Sequence, residues 1–158
     1  MSTEISDDPV LARILHYLQP LDDITLLLLR SQLLVEQRIN AALQKILPGA
    51  IALDLGRLTF HQRIQVMRAL DVSRKAEDAL RFSERLNSIH NRLAHQLEPI
   101  GIDDATAGFV NDVAAAISLK FEDALPLNIR MALCIGYICG VLQEIERATG
   151  IRFRNPEF

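Results

Sequence analysis

The spacing of the apolar residues constrains the fold of this chain most strongly, since they recur at intervals of three and four along most of its length. The run Leu86, Ile89, Leu93 and Leu97 is an example. Such spacing places apolar side chains on one face of an α-helix. Aromatic residues make up only 5% of the chain, whereas Leu, Ile and Ala are abundant, which favours packed helices over a sheet. We therefore expect an all-α protein.

Proline, glycine and capping residues between the periodic segments predict where each helix begins and ends. We expect five to six helices and no strand, with caps at Asp8 (Pro9 being the first helical residue), Asp22 or Asp23, Thr59, Ser73, and Asp103 or Asp104, and Pro126 before the last helix. The predicted helices cover residues 8–19, 22–47, 59–70, 73–98, 103–121 and 127–147, with Gly150 closing the last one. The segment 50–58 is either a loop or a short extra turn.

The length of 158 residues suits one helical domain, residues 1–158, in which 1–7 and 151–158 are flexible tails. Because the loops are short, we expect successive helices to be antiparallel neighbours in an up-and-down bundle. On or near the apolar face of the second helix we expect Leu26, Leu29, Leu33, Ile39, Leu43 and Ile46.

The two cysteines indicate a reducing environment. Cys134 and Cys139 lie five residues apart in an apolar run, a spacing that fits neither a zinc knuckle nor a redox pair. We expect buried, reduced thiols and a cytoplasmic protein. The acidic, polar N-terminus does not resemble a signal peptide, and the apolar runs are too short for a membrane span.

The charge is distributed unevenly. The net charge is -3, which argues against a protein that coats nucleic acid. Residues 57–92, however, contain eight basic and four acidic residues, a local charge of +4. This segment is consistent with a phosphate-bearing ligand, and equally with a solvated helix face of mixed charge.

A polar line accompanies the apolar stripe of the fourth predicted helix. Asn87, Asn91 and His95 recur every four residues and therefore share a helix face, where a bundle often places a site or an interface. Gln32 and Glu36 have the same spacing on the second helix, and either face the fourth helix or form a surface pair. No metal-ligand spacing, phosphate-binding glycine loop, nucleophile elbow or basic helix-turn-helix is present.

Residues 86–95 read Leu-Asn-Ser-Ile-His-Asn-Arg-Leu-Ala-His. They resemble the signature of the HEPN domains, Leu-Asn-x-Leu-Arg-Asn-x-x-Ala-His. The segments 34–36 and 58–64 are similar to the mannitol-operon-repressor-like branch of that superfamily, so that the resemblance covers residues 26–97. It implies an HEPN-like bundle, a homodimer, and metal-independent RNase chemistry that uses no cofactor.

In that chemistry a ribose 2′-hydroxyl attacks the adjacent phosphate. The resemblance implies that His95 handles a proton, that Asn91 orients it or the phosphate, and that an arginine stabilises the phosphorane charge. His90 occupies the position of that arginine. Arg92 lies two residues further on, and an alternative register uses Arg85 with His90. Asn87, Arg92, Arg85 and Glu36 are the candidate binding residues beside the catalytic candidates.

Imidazole is not a permanent bidentate cation, as guanidinium is. We therefore expect an HEPN-like regulatory or RNA-associated module whose catalysis is reduced. One alternative is an active, toxin-like endoribonuclease. Another is a dimeric regulator or antitoxin-like partner that binds only protein, and burial of His95 within one chain would favour it.

Overall fold

A computed structural model describes residues 9–19, 22–47, 54–70, 73–95 and 100–152 of the chain. These residues form six α-helices and no strand, which confirms the predicted all-α bundle. No helix among them is long and apolar enough to cross a membrane. The helices are α1 (Pro9–Leu18), α2 (Ile24–Ile46), α3 (Phe60–Ala69), α4 (Arg74–His95), α5 (Ile102–Ala116) and α6 (Leu127–Arg152), with a 3₁₀ turn at Leu55–Arg57 before α3.

Side-chain caps begin three of the helices as the sequence predicts. Asp23 accepts a hydrogen bond from the backbone amide of Leu26, which starts α2. Thr59 and Gln62 form a reciprocal capping box at α3. The hydroxyl of Ser73 accepts from the amide three residues later and so caps α4. The predicted cap of α1, Asp8, lies outside the described residues.

The boundaries of α5 differ from the prediction. Gly101 is its N-cap and adopts a left-handed conformation with φ of 73°, which glycine reaches without a steric penalty. Asp103 and Asp104 therefore lie in the first turn, where carboxylates favour the helix dipole, rather than at the cap. Because α5 ends at Ala116, Phe121 belongs to the following connection, from which it packs against the core.

Helix α6 is longer than predicted. It passes through Gly150 and ends at Arg152, so residues 151 and 152 are helical rather than part of a tail. A glycine within a helix lowers the stability of that helix by about 1 kcal/mol relative to alanine. It ends the helix only where its backbone adopts the left-handed conformation. The remainder of the predicted tails, residues 1–7 and 153–158, lies outside the described residues.

Helix α2 packs against α1, α3, α4 and α6 and is central to the bundle. The predicted apolar face is correct in its second half, where Ile39, Leu43 and Ile46 are buried. In the first half Leu26 and Leu29 are half-buried, and only Leu33 is wrong, at 59% exposure; the buried residues there are Leu27, Leu28, Leu34 and Val35. Four consecutive leucines at residues 26–29 hide the phase of the helix, which packing on several sides then decides.

One connection departs from the expected alternation of antiparallel helices. Arg92, late in α4, donates to the carbonyl of Ile100 just before α5, whereas Lys75, early in α4, pairs with Glu144 late in α6. Helices α5 and α6 are consequently both antiparallel to α4 and parallel to each other. Residues 117–126 must therefore run back along the bundle, which explains why Phe121 reaches the core.

The side chain of Arg63 joins three parts of the chain. It lies on α3 and is only 8% exposed. Its Nε donates to the carbonyls of Leu55 and Leu58, both at 3.1 Å. Its Nη1 donates to Glu36 Oε1 at 2.5 Å and to Asn40 Oδ1 at 3.1 Å, both on α2. These bonds fix residues 55–58 as a turn against α2.

We expect Arg63→Met to lower the free energy of unfolding by about 3 kcal/mol, because it leaves a carboxylate and two carbonyls without their donor. Arg57→Met is the matched control, since Arg57 is 87% exposed and pairs only with Asp54. It should change stability by about 0.5 kcal/mol or less. Urea unfolding of both variants measures the difference, and equal losses would contradict the anchoring role of Arg63.

Burial should also make the two cysteines unreactive. Cys134 and Cys139 are free and buried, as predicted, and burial raises the pKa of each thiol from 9.0 to about 12. A thiol in the unfolded chain ionises near pH 9, whereas the folded protein keeps it protonated up to about pH 12. Ionisation between these values therefore favours the unfolded state. The stability that burial of the thiols provides is complete below pH 9 and is lost as the pH rises towards 12. At pH 8 we expect a thiol reagent to label both cysteines slowly in native protein and rapidly in urea. Rapid native labelling would contradict their burial.

Candidate functional site

One exposed face of α4 carries polar side chains in a line. Glu84, Ser88, Asn91 and His95 are spaced by four, three and four residues, and we call them the α4 stripe. The last three are exposed and Glu84 is half-buried. The opposite face supplies the core: Leu86 and Ile89 are buried as predicted, Leu93 is half-buried, and Leu97 lies outside the described residues.

Asn87 lies beside the stripe and contacts α2. Its Oδ1 accepts a hydrogen bond of 3.1 Å from Nε2 of Gln32, a side chain that is 3% exposed. The bond joins α2 to α4, so Gln32 does face α4. Asn87 therefore stabilises the packing of α4 against α2, whereas Asn91 and His95 are exposed.

Glu36 is engaged elsewhere. Its carboxylate pairs with Arg63 on α3, one turn beyond Gln32 along α2. Of the two α2 residues expected to face α4, only Gln32 therefore does so by a hydrogen bond. Glu36 stabilises the fold and supplies no free group to Asn91 or His95.

His90 is directed away from Asn91 and His95. It is half-buried, and its Nδ1 is buried without a hydrogen-bond partner among the described residues. His95, five residues later, is exposed, and five residues correspond to about 140° around a helix. The structure thus brings Asn91 and His95 to one surface and leaves His90 at the edge of the core.

The two candidate arginines contact the α5 side of α4. Arg85 forms an ion pair with Asp112 on α5. Nη2 of Arg92 donates to the carbonyl of Ile100, 3.0 Å away, in the turn before α5. In the alternative register Arg85 would be the cation of the site, but its charge is already balanced by Asp112.

Acidic partners from elsewhere in the chain balance the basic segment 57–92. Asp54, Glu36, Glu144 and Asp112 each pair with a basic residue of that segment. Within the segment, Arg81 pairs with Asp78, and Arg68 with Glu77 and Glu84. The hydrogen bonds that Arg68 donates to the carboxylate of Glu84 are the main cause that raises the pKa of Arg68. Among the described residues, only Arg74 and Arg92 of this segment's basic residues have no acidic partner, so the local excess of +4 is largely compensated.

His61 contacts the stripe, although in sequence it is an isolated histidine. Its Nδ1 lies 3.0 Å from Glu84 Oε1, because α3 packs antiparallel to α4. No sequence motif predicts this contact, because it forms only when α3 and α4 pack against each other. Glu84 and His95 are eleven residues apart, about 16 Å along the helix, so His61 and His95 do not share one site within a chain.

A cavity of about 430 Å³ opens near the end of α4. Its acidic residues Asp103 and Asp104 disfavour phosphate, and neither Asn91 nor His95 lines it. The described residues contain no group of three or more side chains suited to a metal ion. The cavity is lined by Ile24, Thr25, Leu93, Gly101, Ile102, Asp103 and Asp104.

Comparison with protein-family models, curated proteins and solved structures finds no match for this chain.

The two asparagines of α4 allow a test of this arrangement. Asn87→Ala should lower the free energy of unfolding by about 1–2 kcal/mol, because the buried amide of Gln32 loses its acceptor. Asn91→Ala removes an exposed side chain and should change it by about 0.5 kcal/mol or less. Denaturant unfolding distinguishes them, and a larger loss for Asn91→Ala would show that the stripe is not a free surface.

Proposed function

We propose that the chain is an RNA-associated regulatory module of the HEPN type, and that its RNA cleavage is weak. The observation that carries the proposal is the joint exposure of Asn91 and His95, one turn apart on α4. These are the positions to which the resemblance assigns orientation and proton transfer. An exposed imidazole is accessible to an RNA 2′-hydroxyl, whereas burial of His95 would have favoured a module that binds only protein.

We expect weak cleavage because this chain has His90 at the position where the family motif has an arginine. Stabilising a phosphorane requires a positioned charge close to the reacting phosphate. His90 is half-buried, and Arg85 and Arg92 are held by contacts on the α5 side. No permanently charged guanidinium accompanies Asn91 and His95 on the exposed face of the described residues, so proton transfer by His95 lacks its electrostatic support.

The proposal includes a homodimer in the cytoplasm. The resemblance implies two facing motif helices, and the α4 stripe is exposed over Ser88, Asn91 and His95, as such a pairing requires. An active, toxin-like endoribonuclease is the alternative if the second copy brings Arg92 towards the phosphate. The free, buried thiols support a reducing compartment.

A second candidate function is a regulator or antitoxin-like partner that binds protein alone. The balanced charge of residues 57–92 favours it, because RNA affinity depends on unpaired cations that displace counterions from phosphates. The two candidates differ in one respect that an assay can measure, which is whether His95 contributes to any reaction with RNA.

The deciding experiment is an RNA cleavage assay in the presence of a chelator. We expect slow cleavage by the wild-type protein and none by His95→Ala. His90→Arg should be at least about tenfold faster than wild type, since a tenfold change needs only about 1.4 kcal/mol of transition-state stabilisation. His16→Ala, which changes an exposed histidine on α1, is the matched control and should cleave like the wild type.

The same variants also distinguish the alternatives. Fast wild-type cleavage that His95→Ala abolishes would favour the toxin-like endoribonuclease. If neither wild type nor folded His90→Arg cleaves or binds RNA, the RNA-associated function is wrong and the protein-binding regulator is favoured.

A further inference from the structure

A groove of about 410 Å³ separates the exposed sides of α1 and α2. Two large apolar side chains lie open to solvent there, Tyr17 at 53% and Leu33 at 59% exposure. Leu34 is buried beneath them. We call this feature the α1–α2 groove, and its lining residues are His16, Tyr17, Arg30, Leu33, Leu34 and Gln37.

Two arginines contribute positive charge at this groove. Arg13 lies over the ring of Tyr17, 5.9 Å from its centroid, and Arg30 lines the groove itself. Neither forms an ion pair with an acidic side chain of the described residues. The groove thus combines exposed apolar surface with positive charge that no acidic side chain of the described residues balances.

We propose that the α1–α2 groove binds an acidic amphipathic helix of a partner protein. An amphipathic helix places apolar side chains three and four residues apart, which suits the neighbouring Tyr17 and Leu33. Carboxylates beside those anchors would pair with Arg13 and Arg30. The binding uses a different surface from the α4 stripe and does not depend on chemistry with RNA.

Charge disfavours a second copy of this chain as the occupant. A second copy packed groove to groove about a two-fold axis would bring the same cations together.

The probe is a fluorescein-labelled synthetic helix of about 16 residues with Leu at three- and four-residue spacing and Glu on both flanks, read by fluorescence anisotropy on the full chain. We expect saturable binding that weakens with salt. A scrambled peptide and a Lys-for-Glu peptide should bind at least about tenfold more weakly, which corresponds to 1.4 kcal/mol.

Matched substitutions locate the binding. Leu33→Gln and Arg30→Gln should each raise the Kd of the acidic helix at least about fivefold, a typical cost for one interface anchor or charge. Leu119→Gln, in another exposed part of the chain, and Arg57→Gln should leave it unchanged. His95→Ala should also leave it unchanged, which separates this test from that of RNA cleavage. Thermal unfolding checks that each variant is folded.

Four results would overturn the proposal. The first is equal binding of the scrambled helix, or binding that Leu33→Gln does not affect. The second is displacement of the probe by a single-stranded RNA, which would make the groove a nucleic-acid surface. The third is a dimer that Leu33→Gln converts to a monomer. The fourth is tighter probe binding by the variant with Glu4→Gln and Asp7→Asn, which would identify the chain's own N-terminal segment as the occupant.

Discussion

The buried guanidinium of Arg63 is the interaction on which the arrangement of the helices around the site depends. A buried cation is tolerated only when its donors find acceptors, and here they lie on α2 and on the turn that precedes α3. Satisfying all of them fixes α3 against α2. From that position α3 reaches α4 through Arg68, which bonds to Glu77 and Glu84. The buried apolar face of α4, which includes Leu86 and Ile89, sets the rotation of that helix, and the contacts of Arg68 support it from the side of α3.

That rotation has consequences for the chemistry that α4 can perform. It directs Asn87 to the packing contact with Gln32, leaves Asn91 and His95 in solvent, and turns His90 towards the core. A site with an accessible imidazole and no neighbouring guanidinium is suited to binding and slow proton transfer more than to fast phosphoryl chemistry. The ion pairs that balance residues 57–92 also disfavour fast RNA cleavage, because they neutralise cations that could otherwise bind RNA phosphates.

The α1–α2 groove has the opposite character, with apolar side chains exposed and Arg13 and Arg30 without acidic partners among the described residues. The two surfaces use different residues of α2. Gln32 contacts α4, whereas Leu33, the next residue, is open to solvent in the groove. Because different residues form the two surfaces, each can be occupied while the other remains free.

The sequence by itself determined the helical class, the starts of α2, α3 and α4, and the shared face of Asn91 and His95, because caps and helical spacing act over a few residues; it did not separate Asn87, which contacts Gln32, from that face. It did not determine the phase of α2, the pairing of His61 with Glu84, the compensation of the basic segment or the parallel course of α5 and α6. Each of these depends on which helices become neighbours. Residues as distant as Glu36 and Arg63, or Lys75 and Glu144, meet only when the bundle closes, and no local pattern encodes that proximity.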